Sequence, residues 1–125
     1  MNRPIKFRVW DKRETKGMST RNMLYDAQLH HFWQDFVDYP GYELMQYTGL
    51  TDKNGKEIYE GDIVQYNQNS SYDNMDFITK WSDDKLGFIF QSNSGEQLVN
   101  QTPHLNRFKH LEVVGNIFEN SELLK

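Results

Sequence analysis

The sixteen residues Thr51–Tyr66, TDKNGKEIYEGDIVQY, contain two reversals of direction, and no long helix can run through either. In Asp52-Lys53-Asn54-Gly55, the Asp accepts from backbone N–H groups two residues on, the Asn tolerates a left-handed backbone, and the Gly takes positive φ without steric cost. Glu60-Gly61-Asp62 is a second kink. Lys56 to Tyr59 leaves the first turn, and Ile63-Val64-Gln65-Tyr66 follows the second as a strand that opens on β-branched residues. A segment punctuated in this way is built from short strands.

The rest of the protein has the same texture. Eight Phe, seven Tyr and three Trp stand mostly in short clusters with β-branched neighbours, which suits strands better than helices. Ile5-Lys6-Phe7-Arg8-Val9 alternates with period two and predicts a half-buried strand with Ile5, Phe7 and Val9 inward. Asp11 to Gly17 is a polar turn region, and Met18 begins a return strand. Residues 22–43 mix both periods, so a short helix over Asp26–Asp35 and strands compete there; Pro40-Gly41 marks a turn. Tyr42 to Thr48 is a strand, and Asn67 to Asn74 a polar loop. Phe77–Trp81 and Phe88–Gln91 are strands joined by SDDKLG. Gln91 to Asn106 is polar, with Ser94-Gly95 and Pro103 as breakers. Leu111 to Val114 is a strand, Gly115-Asn116 makes a turn, and Glu119 to Leu124 ends the sequence with a short helical turn. Many short strands between Gly and Asn turns suggest a small barrel or sandwich.

At 125 residues the protein is one domain, or a barrel with an added layer. It has no Cys, which excludes disulfides and thiolate metal sites and fits a reducing, intracellular setting. MNRPIKFRVW lacks the apolar core of a signal peptide, and no apolar run approaches the roughly 18 residues of a membrane helix. The net charge is −4, unevenly spread. Residues 1–21 hold seven of the 14 Lys and Arg and two acids, a balance of +5, and the remainder carries −9. A basic segment on an acidic body can bind a polyanion or dock on a neighbouring copy; the plain alternative is a strand with solvated Lys and Arg on its outer face. Lys6, Arg8, Trp10, Lys12 and Arg13 are the candidate contacts.

Tests for chemistry fail on spacing. With Gly55 as position six of a calcium loop, Leu50 and Gly61 would fall where oxygen ligands are required, so Asp-x-Asn-Gly is a turn. His30 and His31 are adjacent and on a strand point to opposite faces, while His104 and His110 lie six apart, beyond the short zinc spacing. No Gly-rich phosphate loop is present. Ser92-Asn93-Ser94-Gly95 lacks the first Gly of a nucleophile elbow. Asp83-Asp84 sits in a solvated turn where nothing raises a carboxyl pKa. Trp10, Trp33 and Trp81 could stack bases, but aromatic residues also fill the core and rim of a small barrel.

Three stretches together resemble the YopX family of phage and prophage proteins: Ile5 to Asp11; Leu44 to Tyr66, above all MQYTGLTDKNGKEIYEGDIV; and Leu111 to Leu124. They span 44 of the 125 residues, in the family's order, and residues 22–43 and 67–110 match no such pattern. The resemblance implies an N-terminal β segment followed by an SH3-like barrel, and a phage or prophage origin; it implies no known activity, so no catalytic residues carry over from it. Within it, Asp52, Asn54, Gly55, Gly61, Asp62, Gly115 and Asn116 take architectural roles: Gly61 for a backbone bend, Asp62 for a local backbone hydrogen bond.

The expectation is therefore a mainly β protein with little helix, a β segment over residues 1–45 and an SH3-like small barrel over 46–125. Its expected role is that of a non-enzymatic binding or assembly module in the host cytoplasm. It would self-associate, or meet a host or phage protein, with no cofactor, no metal and no membrane. The alternative is a barrel that binds nucleic acid, and a hydrolase or metal enzyme has no constellation behind it.

Overall fold

A computed structural model describes residues 5–11, 14–15, 18–19, 22–25, 42–67, 73–99 and 110–120. It is mainly β, with no α-helix among these residues. Eleven strands run in sequence order: β1 (Phe7–Asp11), β2 (Glu14–Thr15), β3 (Met18–Ser19), β4 (Asn22–Tyr25), β5 (Tyr42–Thr51), β6 (Glu57–Tyr59), β7 (Asp62–Tyr66), β8 (Asp76–Ser82), β9 (Gly87–Ser92), β10 (Gln97–Val99) and β11 (Leu111–Asn116). The protein divides into two compact units between Tyr47 and Thr48, inside β5. The helix or strands expected over 26–35, the Pro40-Gly41 turn and the Pro103 breaker lie outside the described residues.

In the first unit β1 is the central strand. It pairs antiparallel with β4, Val9 opposite Leu24, and with β5, Val9 opposite Leu44. The Lys6 carbonyl extends the β5 ladder by accepting from Tyr47 N–H at 2.9 Å. Val9 is fully buried, with Phe7, Leu24 and Tyr42 packed against it. The period-two expectation holds for Phe7 and Val9 but not for Ile5 or for the outer face. Ile5 is 73% exposed, whereas Arg8, Val9, Trp10 and Asp11 are all buried. An alternation rule presumes one wet face, and from Arg8 to Asp11 β1 has none.

The second unit is the small barrel. Its five-stranded antiparallel sheet has the order β10-β9-β8-β7-β11: a meander from β7 to β10, with β11 returning beside β7. This curled half-barrel is the SH3-like architecture that the sequence led us to expect. Burial alternates at Phe77 and Thr79 in β8, whereas β7 buries Asp62, Ile63 and Val64 in succession and β9 buries both Ile89 and Phe90. Ile58, Val64, Phe77, Phe90, Leu98 and Leu111 form the core, with Leu50, Tyr66, Met75 and Val113 packed around them. Each large core residue contributes roughly 2–3 kcal/mol through burial. The register brings Val64 opposite Phe77, and Phe90 opposite both Thr79 and Leu98.

Two sequence expectations need correction in this unit. The polar stretch after Gln91 contains β10, whose Leu98 is a core residue; three residues are too few for a periodic signal. Gly115-Asn116 is not a turn. β11 continues through both, with its register shifted between Val113 and Gly115, and the turn comes after Asn116. Of the closing segment expected over 119–124, Glu119 and Asn120 are described, and Asn120 N–H donates to the Asn116 carbonyl at 2.9 Å.

Thr79 is a core residue whose buried hydroxyl has no hydrogen-bond partner among the described residues. A buried hydroxyl in that state is a net cost. Thr79→Val should leave the fold intact and raise its stability by about 1 kcal/mol, measured by urea unfolding.

Candidate functional site

The densest polar arrangement in the barrel centres on Asp52, which is 5% exposed. One carboxylate oxygen, Oδ1, accepts from Asn54 N–H and Lys56 N–H, both at 2.9 Å. The other, Oδ2, accepts at 3.0 Å from Val113 N–H, 61 residues away on β11. The turn closes on itself as well: Gly55 N–H donates to the Asp52 carbonyl, and Asp52 N–H to the Lys56 carbonyl. Gly55, at φ +83°, takes the left-handed geometry that this turn needs. Lys53 N–H donates to the Leu111 carbonyl at 2.8 Å. Lys53 Nζ lies 3.6 Å from Glu112 Oε1, and Asn54 Nδ2 lies 3.5 Å from Glu112 Oε2. The Asp52 turn is thus a clasp laid along β11. Burial pushes the Asp52 carboxyl pKa up, but donation from Val113, Lys56 and Asn54, with the Lys56 charge, more than offsets this and holds it below the ordinary value.

A second knot forms around Gly61, Asp62 and Asn116. Gly61 has φ +85°, its N–H donates to the Thr79 carbonyl, and its carbonyl accepts from Ile117 N–H at 2.9 Å. The buried Asp62 carboxylate accepts from Tyr59 N–H at 2.8 Å, and Asp62 stands opposite Asn116 in the β7–β11 ladder. Asn116 Oδ1 caps the next turn by accepting from Phe118 and Glu119 N–H, and Asn120 Oδ1 accepts from Asn116 N–H at 3.1 Å. Gly115 makes room for this: a Cβ there would lie 2.6 Å from Asn120 Oδ1. Sequence reasoning missed the roles of Asn120 and Glu112: Glu112 matters through a partner 58 residues away, and from sequence Asn120 is only one residue of a closing helical turn. The Ser94-Gly95 breaker does fall in a turn, Ser92–Glu96, whose side-chain bonds carry no sequence signal. There the Ser94 and Ser92 hydroxyls donate to the Glu96 carboxylate and hold its pKa below the usual range.

The candidate surface contacts do not assemble. Arg8 is 2% exposed and Trp10 is buried, so neither is presented to a partner in this fold. Lys6 is half-buried, its ammonium 5.6 Å from the centre of the Tyr47 ring. Lys12 and Arg13 lie outside the described residues, as do Trp33, His30, His31 and His104. Trp81 belongs to the other unit. It is 47% exposed, stacks edge-on against Phe88 and donates from Nε1 to Asp83 at 2.9 Å. His110 meets Tyr66 edge-to-face. Among the described residues no three His, Asp or Glu side chains gather as a metal site, and no helix is long and apolar enough to cross a membrane.

Comparison with known proteins places this geometry. The family model described as YopX protein matches residues 6–125. No curated protein matches. Among solved structures, the protein is similar to the crystal structure of protein EF1440 from Enterococcus faecalis, with a TM-score of 0.58 and 24% identity over 99% of this sequence and 100% of that one. At that identity the likeness speaks for the fold.

The clasp makes two predictions. Asp52→Ala strands three backbone donors and should lower stability by about 3 kcal/mol in urea unfolding. Because folding depresses the Asp52 pKa, its carboxylate stabilises fully well above the ordinary value of 3.8, and this is lost as pH falls through the folded-state value. The stability gap between wild type and Asp52→Asn should therefore be constant near neutrality and close in acid. Gly115→Ala should cost about 2 kcal/mol, and distinctly less on an Asn120→Gly background.

Proposed function

The protein belongs to the YopX family, and from that premise we propose that it is a non-enzymatic accessory protein of a phage or prophage. It acts in the host cytoplasm as a binding or assembly module that associates with itself. The observation that carries the non-enzymatic reading is the use made of the central motif. Its buried carboxylates Asp52 and Asp62, and the Asn116 side chain on β11, accept from backbone N–H groups at 2.8–3.0 Å within the barrel. A carboxylate ringed by backbone donors, with its pKa depressed, is a poor proton acceptor. Self-association is supported by the charge split, +5 over residues 1–21 against −9 over the rest. Among the described residues, β4 and β10 stand at the ends of their sheet orders, the kind of strand on which sheets extend.

The basic segment also supports the alternative, a barrel that binds nucleic acid, in which Lys6, Lys12 and Arg13 would meet phosphates. The burial of Arg8 and Trp10 removes the same two contacts from both readings, and the −9 balance of the remainder, which repels a polyanion, is what favours self-association.

Light scattering on the full-length protein separates these readings. Wild type should show a mass several times that of the protomer at physiological salt, and Lys6→Glu/Lys12→Glu/Arg13→Glu the protomer mass, with Arg8 left intact because it is buried. A monomeric wild type, or a triple variant of unchanged mass, overturns docking by the basic segment. Nucleic-acid binding that weakens steeply with salt and vanishes in the triple variant would establish the alternative.

A further inference from the structure

Asn54 is the one Asn of this protein followed directly by Gly, and it stands at the tip of the Asp52 clasp. Both Asn54 and Gly55 are exposed. A Cβ built on Gly55 would meet nothing within 4 Å, so no neighbouring side chain crowds that residue. The Asn54 carboxamide has one described partner, Glu112, at the long distance of 3.5 Å. A carboxamide held this loosely, next to a glycine, can reach the following backbone nitrogen. The turn's own bonds, Asn54 N–H to Asp52 Oδ1 and Gly55 N–H to the Asp52 carbonyl, oppose the attack while they hold. An exposed turn opens locally at low cost, far below that of global unfolding.

We propose that Asn54 is a site of spontaneous deamidation, and that the product loosens the clasp between the turn and β11. In the first step the Gly55 nitrogen attacks Asn54 Cγ. The new N–Cγ bond closes a five-membered imide, the Cγ–Nδ2 bond breaks, and ammonia leaves carrying the proton from Gly55. Water then opens the imide. Addition at Cγ gives Asp at position 54; addition at the backbone carbonyl gives isoaspartate, in which the backbone runs through the former Cβ and Cγ. No oxidant or reductant takes part.

Either product damages the same contacts. The new carboxylate replaces a donor with an acceptor beside Glu112, where like charges repel, and the Asp52 carboxylate lies in the same turn. Isoaspartate also adds a carbon to the backbone between Asn54 and Gly55, which displaces the two N–H groups that hold the turn on Asp52. As the turn loosens, Asp52 Oδ2 loses its alignment with Val113 N–H. This inference rests on the clasp alone and holds whether or not the protein self-associates.

The test is ageing of the full-length protein at 37 °C in mildly alkaline buffer. Peptide mapping by mass spectrometry would find the acid and isoaspartate, and hydrogen exchange would follow the Val113 amide. The same protein aged in denaturant sets the rate without a fold, and Asn54→Gln is the control. The expected result is acid and isoaspartate at position 54 in folded wild type, with faster Val113 exchange and a melting temperature lowered by several degrees. Asn54→Gln should keep both properties through the same treatment. An intact amide in the folded protein, under conditions that convert the denatured one, overturns the site. Conversion with unchanged Val113 protection overturns the loosening.

Discussion

The barrel of this protein depends on one carboxylate. Strands β7 to β10 form by local pairing, each reached from the last through a loop, but β11 must return from far along the sequence to lie beside β7. The hydrogen bond from Val113 N–H to Asp52 Oδ2 spans 61 residues and meets that strand on arrival. It is made to a carboxylate already oriented by two N–H groups of its own turn. That preorganisation matters, since an acceptor fixed before β11 arrives loses little further freedom on binding it. The bonds from Lys53 N–H to Leu111 and from Ile117 N–H to Gly61 then secure β11 near both ends.

This arrangement explains why two of the three segments that resemble the YopX family appear together. Leu44–Tyr66 and Leu111–Leu124 are far apart in sequence and form one structural object. Asp52 meets Val113, Gly61 meets Ile117, and Asp62 stands opposite Asn116. A signature made of turns and caps at a strand junction is a folding signature. The chemistry usually sought in a recurring Asp or Asn is a proton or a metal, and these residues are engaged with backbone donors instead.

The turn was legible because its chemistry is local. Asp52, Asn54 and Gly55 each have a favoured backbone geometry that needs no partner, and the structure has the bonds those preferences imply. The β11 half of the clasp was not legible, since nothing in Leu111–Val114 records which residue will accept from Val113 N–H. Gly115 illustrates the same limit. From sequence it resembles a turn glycine; its actual constraint is Asn120, which would collide with any Cβ. Arg8 failed for a different reason. Alternation assigns it to water, but a strand with partners on both sides and four successive buried residues offers it none.

Among the described residues of the barrel, the exposed large apolar side chains are Trp81 and Leu86. The β8–β9 turn carries Leu86 at φ +53° and 80% exposed, with Trp81 and Phe88 facing each other at its base. A leucine in left-handed geometry costs of order 1 kcal/mol or more, and Gly or Asn would avoid that cost. Neither its exposure nor its backbone geometry helps the fold. The two regions of the barrel therefore have opposite characters. At the clasp, polar residues are directed inward to the backbone and hold the architecture. At the β8–β9 tip, Leu86 and Trp81 are exposed, Leu86 against its local backbone preference, and the family match runs through this segment too.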